Sequence, residues 1–453
     1  MSHFGVSPAA ENAGSLRRRF RRSSVRRHIT LALIASMAWL GFASTVEAQL
    51  RVATYNVAGL NGRQSSLRSA IVSLADDFAP DSGTIRAVDI LILQEVDNNT
   101  SNTILGWMNA DAPPGAHYTR ATFTSDSNGT FENALIYNDA TIVEDASGHK
   151  DISNHTGPRA TDRWKLSVAG QFGGLLYVYG SHFKADTGSS NESKRESQAN
   201  AIRNDADALG DGINIIYAGD FNLYSSGEPA YQRFFDPGPG RAVDPKFRND
   251  FNSPIVHSQS PSDGTGGLVT GGMDDRFDFL LCTEELIDGL GIDYDAQTYR
   301  SFGNDGQHFN TAINDGFNSY FLADEQASKA DALAKGSDHL PVVVDLLLDG
   351  DFFTQTVTTL KVGDIGLWSV AGAQPNKPVY FVYSLKGLGV FNVGSLNATL
   401  RLSSPKLAAS RKAKSNGTAS LQVSPPSNLR GSPIWFQGLE RGETTDVVLR
   451  FVQ

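Results

Sequence analysis

Short apolar segments alternate with polar stretches over the first three quarters of the chain, and their spacing predicts the fold. Helical periodicity appears over 65–75 and 192–209. Several predicted strands follow one another without a helix between them, which favours a mixed sheet over a purely parallel one. We therefore expect a four-layer α/β (α+β) fold, with a mixed β-sandwich core flanked by helices. The predicted strands cover 50–57, 88–94, 133–137, 164–168, 175–181, 213–218, 277–281 and 341–347.

The pattern changes near residue 350. Over 355–453, short runs of Val, Leu, Thr and Phe are separated by turn residues, with almost no helical periodicity. This pattern of short apolar runs and turn residues predicts a small all-β sandwich that follows a larger domain at 49–350. Two stretches of the larger domain, 236–274 and 303–337, are rich in Gly, Pro, Asn and Asp and are predicted to be loops.

The first 48 residues have the composition of an export signal. Seven arginines precede an apolar stretch at 29–42, and Val46-Glu47-Ala48 resembles a small-residue cleavage site. An uncleaved anchor is disfavoured because the apolar stretch is short for a bilayer span. We expect a secreted, extracellular or periplasmic protein; the Sec and twin-arginine routes both stay open.

Charge is distributed unevenly along the chain. The formal net charge is -10, but residues 355–453 carry +7 and residues 49–354 carry -22. Residues 49–354 are too acidic to form a broad positive surface that would bind a DNA backbone. The basic C-terminal segment, in contrast, could bind a surface or a polyanion. The single cysteine, Cys282, excludes an intramolecular disulfide and is expected to be an inert buried thiol.

Polar residues stand where the predicted strands end. The run at 217–222 places Asp220 and Asn222 two residues apart after an apolar strand, and period-two alternation predicts that they face the same side. An acid beside an amide suits phosphoryl transfer. Glu95 ends another apolar run, and opposite Asn56 it would provide oxygen ligands of the kind that Mg²⁺ prefers.

Three further residues extend this constellation. Asp278 is a charge inside an apolar strand, so a buried partner, expected to be a histidine, is needed. Asp338 and His339 precede the last strand, and the turn at Gly336-Ser337 would let both share one site. His182, after a strand and a small residue, has room for a phosphate beside it.

These segments resemble, in order, the motifs of the endonuclease/exonuclease/phosphatase superfamily, which includes deoxyribonuclease I, exonuclease III-type enzymes, neutral sphingomyelinases and inositol polyphosphate 5-phosphatases. The resemblance spans residues 50–347. It is carried by Thr54-Tyr55-Asn56, Leu93-Gln94-Glu95, Gly180-Ser181-His182, Gly219-Asp220-Phe221-Asn222, Arg276-Phe277-Asp278 and Ser337-Asp338-His339.

The resemblance implies roles for individual residues. Glu95 would hold a divalent metal, Mg²⁺ or Mn²⁺, with Asn56 and Asp338 beside it. His339, oriented by Asp278, would act as a base or bind a phosphate oxygen. The remaining implied roles are orientation of nucleophile and phosphate by Asp220 and Asn222, donation to phosphate by His182, pairing of Glu132 with that histidine, and phosphate binding by Arg159.

The reaction class is better defined than the substrate. Together with the predicted export signal, the resemblance implies a secreted phosphodiesterase, with an extracellular endonuclease as the leading interpretation and a sphingomyelinase-like phospholipase C or a phosphatase as the alternative. A further alternative is an inactive secreted binding or surface protein, and no obligate protein partner is indicated. The loops at 304–306 and 314–316 repeat Asn-Asp-Gly, which makes Ca²⁺ an alternative ion, although their spacing is that of simple turns rather than of an EF-hand.

Overall fold

The structure, a computed structural model, describes residues 48–75, 87–125, 132–153, 155–156, 159–169, 174–244, 250–288, 291–322, 325–348, 353–445 and 447–453. The export signal predicted for 1–48 lies outside this part except at its last residue, and so does the boundary near residue 350. The described chain forms one compact unit. No helix in it is long and apolar enough to cross a bilayer.

Two sheets form the larger part of the molecule, residues 48–348. The strands, in chain order, are β1 (Ala48–Asn56), β2 (Ile90–Val96), β3 (Tyr118–Arg120), β4 (Glu132–Asn138), β5 (Ile142–Glu144), β6 (Lys150–Ile152), β7 (Thr161–Val168), β8 (Leu175–His182), β9 (Ile215–Asp220), β10 (Ala242–Val243), β11 (Asp278–Thr283), β12 (Ile292–Ser301) and β13 (Val342–Leu348). The first sheet has the order β12-β13-β1-β2-β4-β3. The second has the order β10-β11-β9-β8-β7-β5, with β6 also paired to β7.

Each sheet has a parallel pair near its centre. β1 is parallel to β2, and β8 is parallel to β9. The other neighbours of these four strands, β13, β4, β7 and β11, pair with them in antiparallel fashion. The carboxyl ends of the two parallel pairs therefore share an edge with the amino ends of β11 and β13.

The two sheets pack face to face, and helices cover their outer faces. Alternation along β1 sends Leu50 and Val52 into the core between the sheets, and Ala53 and Tyr55 toward the helices. The helices are α1 (Gln64–Ala75), α2 (Asn98–Ala110), α3 (Ser189–Leu209), α4 (Pro229–Phe234) and α5 (Gln326–Gly336). Residues of α1, α2 and α5 share a core with the first sheet, and residues of α3 and α4 share one with the second. The fold is thus the predicted four-layer α/β sandwich.

The C-terminal segment is all-β, as its texture predicts. Its strands are β14 (Thr354–Val357), β15 (Gly366–Ala371), β16 (Pro378–Ser384), β17 (Leu388–Val393), β18 (Ala398–Leu402), β19 (Lys406–Lys412), β20 (Ala419–Val423), β21 (Pro433–Leu439) and β22 (Val448–Phe451). They form sheets with the orders β14-β15-β20 and β19-β16-β21-β22 and the hairpin β17-β18. Trp368, Phe381 and Phe436 lie buried in edge-to-face contact at its centre.

The sequence predictions need correction at several elements. The loop predicted at 303–337 ends in helix α5, because its alanine-rich last third favours a helix although the stretch before it is rich in Gly and Asn. The sequence also gave no signal for α2, whose first turns are Asn and Thr; that helix begins where the Asp97 carboxylate accepts the Thr100 N–H. The sequence analysis also predicts no strand at β3, β5, β6, β10 or β12 and no helix at α4.

Candidate active site

Polar side chains converge at the edge where the parallel pairs end. Asn56 and Glu95 come from β1 and β2, and His182 and Asp220 end β8 and β9 as register partners. Asp278 opens β11 opposite Asp220. His339 precedes β13, so one edge of the sandwich carries the entire group.

Asp220 lies at the centre of this group and is 1 % exposed. Its Oδ2 accepts from Asn56 Nδ2 at 3.0 Å and lies 3.2 Å from His182 Nε2 and 3.7 Å from His339 Nε2. The preceding Gly219 has φ +135°, and a Cβ there would lie 1.9 Å from the Ser181 carbonyl oxygen. Only glycine allows β9 to approach β8 this closely.

His339 and Asp278 form a buried pair. Nδ1 of His339 lies 2.8 Å from Asp278 Oδ2, which also accepts the Ser258 hydroxyl at 2.7 Å. The imidazole therefore presents Nε2 to Asp220. This is the histidine partner that the sequence predicts for Asp278.

The charges of this group reinforce one another. Burial disfavours the His339 cation, but Asp278 and Asp220 outweigh burial and raise the pKa of His339 from 6.5 to about 10. Burial also acts to raise the pKa of Asp220, yet His339, His182 and Arg159 together hold that pKa well below its ordinary value. At neutral pH His339 is thus a cation beside a carboxylate anion.

Glu95 reaches the group because β2 carries a bulge. The register between β2 and β4 shifts between Leu93 and Val96, and Glu95 adopts φ +56°. Its side chain is 26 % exposed and lies 3.7 Å from His182 Nε2, while Oε1 accepts from Asn56 Nδ2 at 3.2 Å. Glu95 is therefore the carboxylate of the group that faces solvent.

Arg159, His182 and Asn222 form the other side of the site. Arg159 donates to His182 Nε2 and, at 2.6 Å, to the Phe183 carbonyl, which also accepts from Asn222 Nδ2 at 3.3 Å. Asn222 reaches this place through a turn with φ +48°, in which its N–H donates to Asp220 Oδ1, and not through strand alternation as the sequence suggested. The Phe183 carbonyl thus holds the side chains of Arg159 and Asn222 next to each other.

Two residues that the sequence did not single out hold the site together. Arg63 donates to the carbonyls of Ala58, Gly59 and Gly336, so it connects the segment after β1 to the segment that carries His339. The Ser337 hydroxyl donates to the Asn56 carbonyl at 2.6 Å and accepts the His339 N–H at 3.1 Å. Ser337 lies inside a quoted motif and could have been recognised; Arg63 and Ser258 carry no such signal.

A family model described as the endonuclease/exonuclease/phosphatase family matches residues 53–339, which includes every residue of this group. The chain belongs to this family. Its members hydrolyse phosphoester bonds and include nucleases and phosphatases.

Solved structures of low identity resemble the chain. The human Nocturnin catalytic domain is 16% identical, with a TM-score of 0.41, over 67% of this chain and 97% of its own. A D. rerio TDP2 complex with a single-strand DNA product is 13% identical, with a TM-score of 0.43, over 66% and 99%. A Bacteroides thetaiotaomicron mannosyl-6-phosphatase is 16% identical, with a TM-score of 0.42, over 66% and 100%. No curated protein matches the sequence.

Family members generally use a divalent metal, and two places offer ligands. Ligand atoms of Asp220, Asp278 and His339 lie within 4.8 Å of one another, but His339 Nδ1 and Asp278 Oδ2 are already bound to each other at 2.8 Å. Glu95 fits a hard cation better, because its carboxylate faces solvent beside an amide. Asn56 now turns Nδ2 toward Glu95 and Asp220 while its Oδ1 accepts the Ala58 N–H; with the amide turned over, Oδ1 would join Glu95 as a ligand.

Other predicted site residues lie at the margin. Asp338 is 8 % exposed, and its Oδ2 accepts the Val269 N–H at 3.0 Å. Glu132 is opposite Val96 on β4, where its Oε1 accepts the Ser125 hydroxyl at 2.9 Å; its pairing with His182 stays a prediction. In the Asn-Asp-Gly loop at 304–306, Asp305 accepts the N–H groups of Gln307 and Ser319 and lies 2.9 Å from His308 Nδ1; binding of Ca²⁺ there stays a prediction.

Proposed function

We propose that the protein is a secreted, divalent-metal-dependent phosphodiesterase that cleaves extracellular nucleic acid. One observation carries the hydrolytic part: a buried histidine, His339, is held by Asp278 and faces a buried carboxylate, Asp220, which also lies beside His182. Fixed opposite charges in a site of low exposure are suited to a phosphoester, because charge redistributes over its oxygens during hydrolysis.

The side chains divide the reaction between them. Nε2 of His339 donates to a phosphate oxygen, and Asp278 and Ser258 hold the ring in that orientation. Asp220 accepts a hydrogen bond from the attacking water and so orients it, and the proton of that water passes to solvent as the new P–O bond forms. The scissile P–O bond then breaks, and the leaving oxygen takes up a proton from a solvent water.

Arg159 and His182 bind the phosphate on the opposite side. One ring nitrogen of His182 cannot accept from Arg159 and donate to Asp220 at the same time. A phosphate between the two side chains removes this conflict, because both can then donate to its oxygens. Asn222 adds an amide donor beside them.

Glu95 and Asn56 are the residues proposed to hold Mg²⁺ or Mn²⁺. When bound there, the ion would neutralise phosphate charge and stabilise the leaving oxygen. Asp338, which holds the Val269 loop, is proposed to lie next to this pair rather than to replace either member.

Nucleic acid is the substrate class that we put first, because Glu132 stands where deoxyribonuclease-like members of the family keep a carboxylate, so the residue pattern resembles theirs. A specific observation favours the second candidate, a sphingomyelinase-like phospholipase C. The loop that donates to Asp338 exposes 55% of Val269, and Phe309, which pairs with Met273 nearby, is 51% exposed. Apolar side chains beside a phosphodiester site would suit a lipid.

A substrate panel on the purified protein separates these candidates. Plasmid DNA, RNA, sphingomyelin vesicles and a soluble phosphodiester are each tested with Mg²⁺, Mn²⁺ or EDTA, alongside His182→Ala and His339→Ala. We expect DNA or RNA cleavage that requires the metal and both histidines. Cleavage of sphingomyelin alone would establish the lipid reading, and full activity in EDTA would overturn the metal assignment.

The panel also decides whether the protein is an enzyme. An inactive binding protein would hydrolyse none of the four substrates, and its ligand affinity would not respond to His339→Ala.

A Val269→Ser and Phe309→Ser double variant tests whether the substrate is a lipid. Only the affinity for a lipid substrate should fall in this variant, because the two apolar side chains are exposed beside the site.

A further inference from the structure

The C-terminal sheets contact the larger part of the molecule at the end opposite the active site. Gln374 donates to the Gly212 carbonyl, Arg441 to the Leu209 carbonyl at 3.3 Å, and Asn397 to the Tyr177 hydroxyl at 2.8 Å. Gly212 precedes β9, whose other end carries Asp220. At about 3.3 Å per residue, this contact lies roughly 25 Å from the site.

The strands of the C-terminal sheets run away from that contact. β15 and β21 end next to it, so their first residues, Gly366 and Pro433, lie at the far end. Register partners place the end of β22 and the start of β19 there too, since Phe451 pairs with Pro433 and Lys406 with Tyr383. We call this end the distal pole; it lies about 20 Å beyond the contact, the length of β21.

Large apolar side chains are exposed at the distal pole. Such residues are normal when scattered, but several at one end of a small domain indicate a surface that meets something apolar. The exposed fractions are 70% for Ile365, 43% for Leu367, 64% for Leu388, 61% for Leu407 and 59% for Phe451.

Basic side chains accompany them. Lys361, Lys386, Lys406 and Arg430 are exposed at the same end. Of these four side chains, only Lys361 has an ion-pair partner in the described part of the chain, namely Asp364 at 3.7 Å. No described carboxylate forms an ion pair with the other three. Glu440 and Glu443, two of the four acidic residues of 355–453, lie instead at the contact with the larger part, where burial raises the pKa of Glu440 to about 8.

We propose that the distal pole docks the protein on an anionic lipid surface, with the active site facing away from it. Apolar side chains enter the boundary of the acyl chains while lysine and arginine meet the headgroups, and this combination distinguishes a membrane interface from either a purely basic or a purely apolar surface. The inference does not depend on the proposed phosphodiesterase activity.

Other occupants fit the distal pole less well. A nucleic acid backbone would satisfy the basic residues but would leave the aliphatic ones against water, and Phe451 alone among the five apolar residues could stack on a base. A second copy of the chain would bring basic residues against basic residues in a symmetric contact. The anionic bilayer satisfies both kinds of side chain.

The test is sedimentation of the purified protein with vesicles of phosphatidylcholine containing about a third phosphatidylglycerol. We expect binding that weakens with salt and that falls at least about tenfold in Lys386→Glu/Lys406→Glu, because each basic residue near such a surface contributes appreciably. Lys377→Glu/Lys412→Glu is the matched control: it makes the same charge change, with Lys412 on the same strand as Lys406, but near the contact with the larger part. Equal loss in the two double variants would overturn the distal location.

Orientation is tested with a polarity-sensitive dye, since the single native cysteine, Cys282, is buried. The dye on Leu388→Cys should shift to the blue when phosphatidylglycerol vesicles are added, and the dye on Asp186→Cys, in the loop after His182, should not. A shift at Asp186→Cys would reverse the orientation. Absence of vesicle binding, or DNA binding or dimer formation that Lys386→Glu/Lys406→Glu abolishes, would overturn the lipid surface as the occupant.

Discussion

The two ends of the molecule use polar residues in opposite ways. At the active site, Asp220, His339 and Asp278 are nearly or fully buried and each has several partners. At the distal pole, Lys386, Lys406 and Arg430 are exposed and none has an ion-pair partner in the described chain. Buried, mutually oriented charges define chemistry, because they cannot rearrange cheaply. Exposed, unpaired charges define a place of attachment, because they remain free to meet a surface.

The largest effect should come from the centre of the buried group. His339→Gln should lower phosphodiester hydrolysis by about 10³-fold or more, since the cation facing Asp220 is lost. Turnover of the best substrate in the panel, with Mg²⁺ present, measures this. His308→Gln is the matched control, because His308 is also a buried histidine, bound to Asp305 at 2.9 Å, but outside the group. An equal loss of turnover in His308→Gln would show that the loss of any buried histidine–carboxylate pair impairs the enzyme, and that His339 has no special role.

Glu95→Gln should have the next largest effect, about 10²-fold at low Mg²⁺. The amide keeps the size of the side chain but removes the negative charge that faces solvent. A titration of activity against Mg²⁺ should show a higher midpoint with partial recovery at saturation. An unchanged midpoint with lower turnover would exclude Glu95 as the metal ligand.

Strand ends explain how much of this site the sequence predicted. Asn56, Glu95, His182 and Asp220 were identified because an apolar run that stops on a polar residue is visible in one dimension. The bulge that turns Glu95 into the site is not visible, because it depends on the β4 register. Likewise Ser258 lies on a long loop, and only the folded chain brings its hydroxyl to Asp278.

The same difference holds for whole elements. β1 and β9 were predicted to within about two residues of their ends because both are buried along nearly their whole length and therefore stand out as short, mostly apolar runs. Helix α2 was missed because its stability depends on tertiary packing of Ile104 and Met108 rather than on propensity. For the distal pole, the sequence showed the charge excess of 355–453 but not which residues share one end.

Arg63 tests whether the active site depends on a support outside the family motifs. Arg63→Gln should lower turnover about tenfold with little change in KM, because the segments that carry Asn56 and His339 lose their common anchor. Arg63→Lys should retain only part of the turnover that Arg63→Gln loses, since one ammonium group cannot reach all three carbonyls. Arg68→Gln, which removes a surface pair with Asp111, is the control; the same loss there would point to general destabilisation.

The buried cation should also appear in the pH dependence of stability. Because Asp278 and Asp220 raise the pKa of His339 to about 10, its folded-state pKa exceeds the ordinary 6.5. The protonated His339 side chain therefore makes its full contribution to the free energy of unfolding below about pH 6.5, and this contribution is lost as the pH rises toward 10. In EDTA, the difference in unfolding free energy between wild type and His339→Gln should shrink by on the order of 2 kcal/mol across that window. Parallel curves would mean that His339 is neutral in the folded protein.

The smallest effect on catalysis is expected from substitutions at the distal pole. This prediction tests most directly whether the two ends of the molecule have separate roles. Lys386→Glu/Lys406→Glu should leave kcat/KM for a soluble phosphodiester within about twofold of wild type, because screened surface charges this far from the site act weakly on it. The same variant should lose vesicle binding, so attachment and chemistry separate in one protein. A large loss of turnover on the soluble substrate would show instead that the distal pole supports catalysis, and the division of the molecule into a reacting end and an attaching end would fail.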